Sequence, residues 1–207
     1  TNCSDDFLWL PLAACRYLEF SGDTALLDES VQFLDGRAVS REEDSYYDLP
    51  LRALEHASVY QHCVRAIERG LRFGVHGLPL MGGGDWNDGM NRVGLEGRGE
   101  SVWLGWFLHA TLTRFAPLVK LMKDDPAPYM QHAEKLAQAL EAHAWDGDWY
   151  LRAFYDDGSK MGSHESIECQ IDSIAQSWSV LSGAGDATRS RMGMDAVDRR
   201  LVRRDHA

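Results

Sequence analysis

The sequence predicts a mainly α-helical domain with a minor β-hairpin. Apolar residues recur at helical spacing in several runs, capping residues stand ahead of those runs and Gly or Pro closes them, and period-two alternation is confined to one short stretch.

Ser4 reads as an N-cap, with Asp5 and Asp6 in the first turn, for a helix over 7–20 that Gly22 stops. A shorter helix is predicted over 24–34, ending at Gly36. Residues 37–50 carry Ser, Asp and Pro without a steady apolar period and read as a loop, with an extended piece at 46–49. Ser58 opens a helix to about residue 73. Residues 74–99 hold nine glycines in 26 positions, at a cost of roughly 1 kcal/mol for each Gly inside a helix, so this is a long structured loop. The longest helix is predicted over 100–122, with Val102, Trp103, Trp106, Phe107, Ala110 and Leu118 as its apolar face, and Pro126 breaks before a helix over 128–143. Residues 149–155 alternate enough for a strand, and Asp156-Asp157-Gly158 is a hairpin turn. Asp172 caps a helix to residue 181, and 187–202 form the last of seven. Acidic or Gly-rich segments precede several helices, which should gather polar groups around helix N-termini on one face.

The chain has 207 residues, 32 acidic and 21 basic, for a net charge of −11, with 44% of it apolar. This is the balance of one globular domain, without a disordered tail. Lys and Arg form no stripe, so the footprint of a nucleic-acid binder is absent. The longest apolar run, 9–15, is far shorter than the roughly 20 residues a membrane helix needs. Cys3, Cys15, Cys63 and Cys169 stand apart with no zinc or redox spacing, and are expected as buried thiols in a reducing compartment, with no metal site. Seven Trp in a chain of this length is rich.

The sharpest segment is Gly82-Gly83-Gly84-Asp85-Trp86-Asn87-Asp88-Gly89-Met90-Asn91. Three glycines let the backbone approach a ligand, and two carboxylates, an amide and an indole follow within four positions. The set suits carbohydrate: an indole stacks on a ring, Asn and Asp bind hydroxyls, and a carboxylic acid can protonate a glycosidic oxygen. The bland alternative is a turn whose Asx side chains bind their own backbone. A calcium loop is excluded, because its fifth and sixth places need an oxygen ligand and Gly but hold Gly89 and Met90. No strand precedes and no Gly-Lys-Ser/Thr follows, so a phosphate loop fails too.

Ser4-Asp5-Asp6-Phe7-Leu8-Trp9-Leu10-Pro11, Gly84-Asp85-Trp86-Asn87-Asp88-Gly89-Met90-Asn91, the segment 99–107 and Ile171-Asp172-Ser173-Ile174-Ala175-Gln176-Ser177-Trp178 follow one another in the order of the glycoside hydrolase family 94 phosphorylases. The chain resembles that family across nearly its whole length, and in particular its branch in the C-terminal domain of cyclic β-1,2-glucan synthases. The resemblance implies part of an (α/α)6 barrel whose inner helices aim their N-termini at a sugar pocket. It implies inverting phosphorolysis, or the reverse synthesis, of β-glucosidic linkages, with Asp88 matching the general acid and Trp86 a residue of the glucosyl subsite. Asp85 and Asn87 would shape the loop, and Asp5 or Asp6 and Gln176 would line the pocket. Inverting hydrolases need a second carboxylate about 6.5–9.5 Å away to activate water, whereas phosphate is itself the nucleophile. Inorganic phosphate is thus a co-substrate, glucose 1-phosphate the partner product, and no further cofactor is implied. Repulsion from Asp85 or from bound phosphate would hold the proton on Asp88.

Relatives commonly carry Arg ahead of Ser-Asp-Asp and ahead of Ile-Asp-Ser, where this chain has Asn2 and Gln170. The implied barrel has twelve helices and only seven are predicted, so residues 1–207 are expected to be a single partial phosphorylase-like domain, truncated at both ends, with apolar helix faces that association would cover. A cytoplasmic location is expected, within a parent that is an inner-membrane protein holding this domain outside the bilayer. The rival readings are a hydrolase on the same barrel and an inactive glucan-binding or structural fragment. Blander roles are expected elsewhere: surface positions for His76 and His164, wall packing for Trp103 and Trp106, hairpin packing for Trp145 and Trp149, turn formation for Asp156 and Asp157, and a solvated helix end for Arg199, Arg200, Arg203 and Arg204.

Overall fold

The computed structural model describes residues 3–40, 43 and 45–204, the side chain of Asp88 excepted. Among these residues there are six α-helices, not seven, and two small antiparallel sheets. The chain is mainly helical, as the sequence predicts.

Helix α1 (Trp9–Ser21) is entered through a 3-10 turn at Asp6–Leu8 and closed by Gly22 in the left-handed region (φ 68°), whose N–H donates to Leu18 O at 2.9 Å. Ser4 does not cap it. Its N–H and hydroxyl both donate to Gly84 O, at 2.8 and 3.1 Å, which stitches the start of the chain to the Gly-rich loop.

The helix expected over 24–34 is not formed. Thr24–Asp28 is a 3-10 turn, and Ser30–Asp35 is strand β1, antiparallel to β2 (Leu51–Ser58) with a bulge between Gln32 and Leu34. Non-local pairing overrides local period here. Phe33 stacks on His62 at 3.9 Å and lies under the Arg65 guanidinium at 4.6 Å, so the hairpin gains contacts on helix α2 (Val59–Gly70) that a helix over 24–34 would forgo. The strand begins at Leu51, not over 46–49. Ser58 caps α2 in a reciprocal box: its Oγ accepts from Gln61 N at 3.2 Å, and Gln61 Oε1 accepts from Ser58 N at 3.1 Å.

Residues 74–99 form the predicted irregular loop, broken by a 3-10 turn at Asp88–Met90. Strand β3 (Glu100–Ser101) then leads into α3 (Val102–Leu121), so the long helix starts two residues later than predicted. Thirteen of its twenty residues are buried, because it packs against α1, α4 (Ala127–His143) and α5 (Ser173–Leu181). Its Trp103, Phe107, Leu112 and Phe115 meet Leu8, Cys15, Cys63 and Ile67 in one core, while Val102 and Trp106 meet Leu78, Leu140, Tyr150 and Leu151 in a second. Both Trp103 and Trp106 thus serve packing.

The predicted strand over 149–155 narrows to β4 (Ala153–Phe154), between β3 and β5 (Lys160–Met161), and the turn closes with Gly158 N donating to Tyr155 O at 2.9 Å. Asp172 caps α5 through Ile174 N at 2.8 Å, and α6 (Ala187–Arg200) completes the fold against α5. Cys3, Cys15 and Cys63 are buried, and burial pushes the Cys15 and Cys63 thiols up to about 12; Cys169 is exposed, against the expectation. No helix among the described residues is long and apolar enough to cross a membrane.

Candidate active site

The Gly-rich loop is held by one buried ion pair. Asp85 is 1% exposed, and its two oxygens accept from Arg152 in a bidentate grip, Nη1 at 2.7 Å and Nη2 at 2.5 Å. Ser101 Oγ donates to the same carboxylate at 2.6 Å, and Asn87 N donates to it at 3.3 Å. Four donors saturate Asp85, offsetting the cost of burying its charge. Ser101 is also the N-cap of α3, accepting from Leu104 N at 3.0 Å. Arg152 Nε lies 3.2 Å from Oδ2 of Asp172, the N-cap of α5, an ion pair without hydrogen-bond alignment. A loop, a hairpin strand and two helix N-termini therefore meet at one guanidinium, the gathering of polar groups at helix starts that the sequence predicts.

Asp88 opens the 3-10 turn three residues beyond this anchor; its side chain lies outside the described residues. Trp86, between the two, is 60% exposed, its indole 5.8 Å from Trp9 and 6.4 Å from Trp103. Asn87 Oδ1 accepts from Gly89 N at 2.9 Å, so that oxygen is used in an Asx turn. Asp6 is exposed at the start of the 3-10 turn before α1. Asp5 beside it is 3% exposed; its Oδ2 accepts from Trp9 Nε1 at 2.8 Å and its Oδ1 has no hydrogen-bond partner among the described residues. Burial raises the Asp5 pKa, opposed by the Trp9 bond and reinforced by Asp6 and Asp85.

Gln176 is fully buried, with Oε1 accepting from Tyr150 N at 2.8 Å and Nε2 donating to Tyr150 O at 2.6 Å. The amide is spent on the hairpin backbone. The structure thus brings Asp5 and Trp86 together through Trp9 at the start of α1, with Trp86 also near Trp103 of α3, and sets Gln176 against the backbone of Tyr150 and Asp172. Sequence reasoning missed Arg152 itself. The available signal was a lone guanidinium inside Trp149-Tyr150-Leu151-Arg152-Ala153-Phe154, where a charge in an apolar run demands a buried partner.

Two further carboxylates brace the loop and its surroundings. Glu100, 1% exposed, accepts from the backbone of His76 and Leu78 and from His76 Nδ1. A Cβ on Gly74 would lie 2.5 Å from Glu100 Cδ, so only glycine fits beside it. Asp156 accepts from the backbone N–H groups of Glu96, Arg98 and Gly99 at 2.8, 2.8 and 2.9 Å; burial opposes its charge, but these three bonds and Arg98 hold its carboxyl below the usual range. Asp156 is thus more than a turn former, because it ties the hairpin to the end of the loop. His164 binds Asp146 through N and Nδ1 at 2.8 and 2.7 Å. Among the described residues, no group of three or more His, Cys, Asp or Glu is placed to hold a metal ion.

The family model described as Glycosyl hydrolase 94 superfamily, catalytic domain, matches residues 1–206. Cyclic beta-(1,2)-glucan synthase NdvB of Rhizobium meliloti (strain 1021) is 51% identical over 206 residues, 98% of this chain and 7% of that protein. Solabiose phosphorylase of Paenibacillus borealis is 34% identical over 96% of this chain and 24% of its own length. N,N'-diacetylchitobiose phosphorylase of Vibrio proteolyticus is 31% identical over 97% and 23% respectively. The chain spans a quarter or less of each of these relatives.

Proposed function

We infer that this chain, which belongs to the glycosyl hydrolase 94 superfamily, contributes the acid-bearing part of an (α/α)6 phosphorylase domain acting on β-glucosides. The substrate is proposed to be a β-1,2-linked glucan, a reading supported by the 51% identity to a cyclic beta-(1,2)-glucan synthase. The observation that carries the site is the Asp85–Arg152 junction, which fixes the segment 85–91 beside the N-terminus of α3 and leaves Trp86 exposed.

In this reading Trp86 lays its indole against the glucosyl ring, and Asp88 is the general acid. Phosphate attacks the anomeric carbon from the face opposite the leaving group. The C–O bond to the departing sugar breaks as Asp88 gives its proton to that oxygen, and inversion yields α-glucose 1-phosphate. The reverse reaction runs through the same groups. The phosphate-binding residues are proposed to come from sequence outside this chain, which spans less than a quarter of each phosphorylase relative named above.

In the protein carrying this chain, Asp88→Asn should lower phosphate-dependent release of glucose 1-phosphate from β-1,2-gluco-oligosaccharides by about 10²–10⁴-fold. Retained activity removes Asp88 from the acid role. Turnover that proceeds equally well without phosphate moves the site to the hydrolase reading.

A further inference from the structure

We propose that Trp9 and Trp86 together form a two-indole corner that seats a second, adjacent pyranose ring of a β-linked chain, with Asp5 as the residue that positions Trp9. The proposal rests on the sugar-binding reading above and extends it by one subsite. Trp9 is 38% exposed and Trp86 60%, although Trp9 packs on the buried Phe107 and Trp86 lies near the buried Trp103. Their centroids lie 5.8 Å apart with planes inclined at 54°, so the two surfaces meet as a corner and offer faces in two directions.

Trp9 is not a loose surface ring. Its indole N–H is fixed to Asp5 Oδ2 at 2.8 Å, and its ring rests on Phe107 at 4.6 Å, which is itself fully buried and stacked on Trp103 at 5.4 Å. An indole whose polar edge is tied down and whose back is supported presents one face at low entropic cost, the property that makes Trp an effective ligand platform. The second ring is best left uncharged, because the exposed Asp6 carboxylate stands three residues ahead of Trp9 at the entry to α1. It must also offer flat C–H surface together with hydroxyls. A neutral pyranose meets both conditions. At 3% exposure Asp5 cannot itself reach a sugar, so it acts through the indole it holds.

The test is binding of glucose and of the β-1,2-linked glucose disaccharide, by calorimetry or chemical-shift titration, without phosphate. Omitting phosphate keeps the outcome independent of Asp88 chemistry. The disaccharide should bind the unaltered chain about tenfold tighter than glucose, the worth of one added ring contact. Trp9→Leu should erase that preference while leaving the affinity for glucose unchanged, and Trp86→Leu should weaken both ligands. Asp5→Asn, which keeps an acceptor for Trp9 Nε1, should retain the preference, and Asp5→Leu should lose it. Trp9→Phe keeps a ring on Phe107 and guards against a folding defect; a partial loss of preference in it supports the corner. A preference that survives both Trp9 variants overturns the second subsite and leaves the Trp86 subsite standing. Failure of the unaltered chain to bind either sugar overturns the proposal outright, while phosphorolysis by the protein carrying this chain is judged separately by the Asp88→Asn assay.

Discussion

Arg152 has a side chain only 2% exposed, yet it touches the loop carboxylate of Asp85, the α3 cap Ser101 and the α5 cap Asp172. Removing one member of a buried pair leaves the other charged and unpaired, which costs about 3–5 kcal/mol, whereas a surface pair is worth at most about 1. Arg152→Met should therefore lower the stability of the chain by about 3–5 kcal/mol in urea denaturation. A loss under about 1 kcal/mol would show that water reaches Asp85 and relieves it. The residue scale is also where the sequence was least legible. Asp85 and Gln176 sit in motifs that draw attention to their chemistry, but pairing Asp85 with a residue 67 positions away is invisible to local pattern, and so is the turning of Gln176 toward the Tyr150 backbone.

At the level of elements, the caps and breakers were the most legible signals. Ser58, Asp172, Gly22 and Gly158 perform the roles their residue types announce, since each answers a backbone demand set within a few positions. Ser58→Ala removes the acceptor of the reciprocal box and should cost about 0.5–2 kcal/mol, read as a fall in the midpoint of thermal unfolding. Ser4 failed as a cap because a non-local acceptor, Gly84 O, competed for it. The segment 24–34 failed for a related reason. Leu26, Leu27, Val31 and Leu34 have a helix-compatible spacing, but the pairing of 30–35 with 51–58 and the stack of Phe33 on His62 come from residues that no local window contains.

For the whole molecule, the mainly helical class followed from the period and was legible, because α3 packs against α1, α4 and α5 and carries apolar side chains into both buried cores. The candidate site was legible as a segment, 82–91, and not as a three-dimensional junction. That junction has a further consequence, in time. Arg152 meets Asp85 and Ser101 across 67 and 51 residues of chain, and the loop-closure cost of such contacts leads to the expectation that the pairs α3–α4 and α5–α6, neighbours in sequence, form before them. A contact absent from the folding transition state changes the unfolding rate and leaves the folding rate alone. In stopped-flow measurements, Arg152→Met should refold within about twofold of the unaltered rate and unfold at least about a hundredfold faster. Equal effects on both rates would mean that the junction forms early. On the expected outcome, the local helix pairs set the frame and the loop anchored by Asp85 is drawn onto it afterwards.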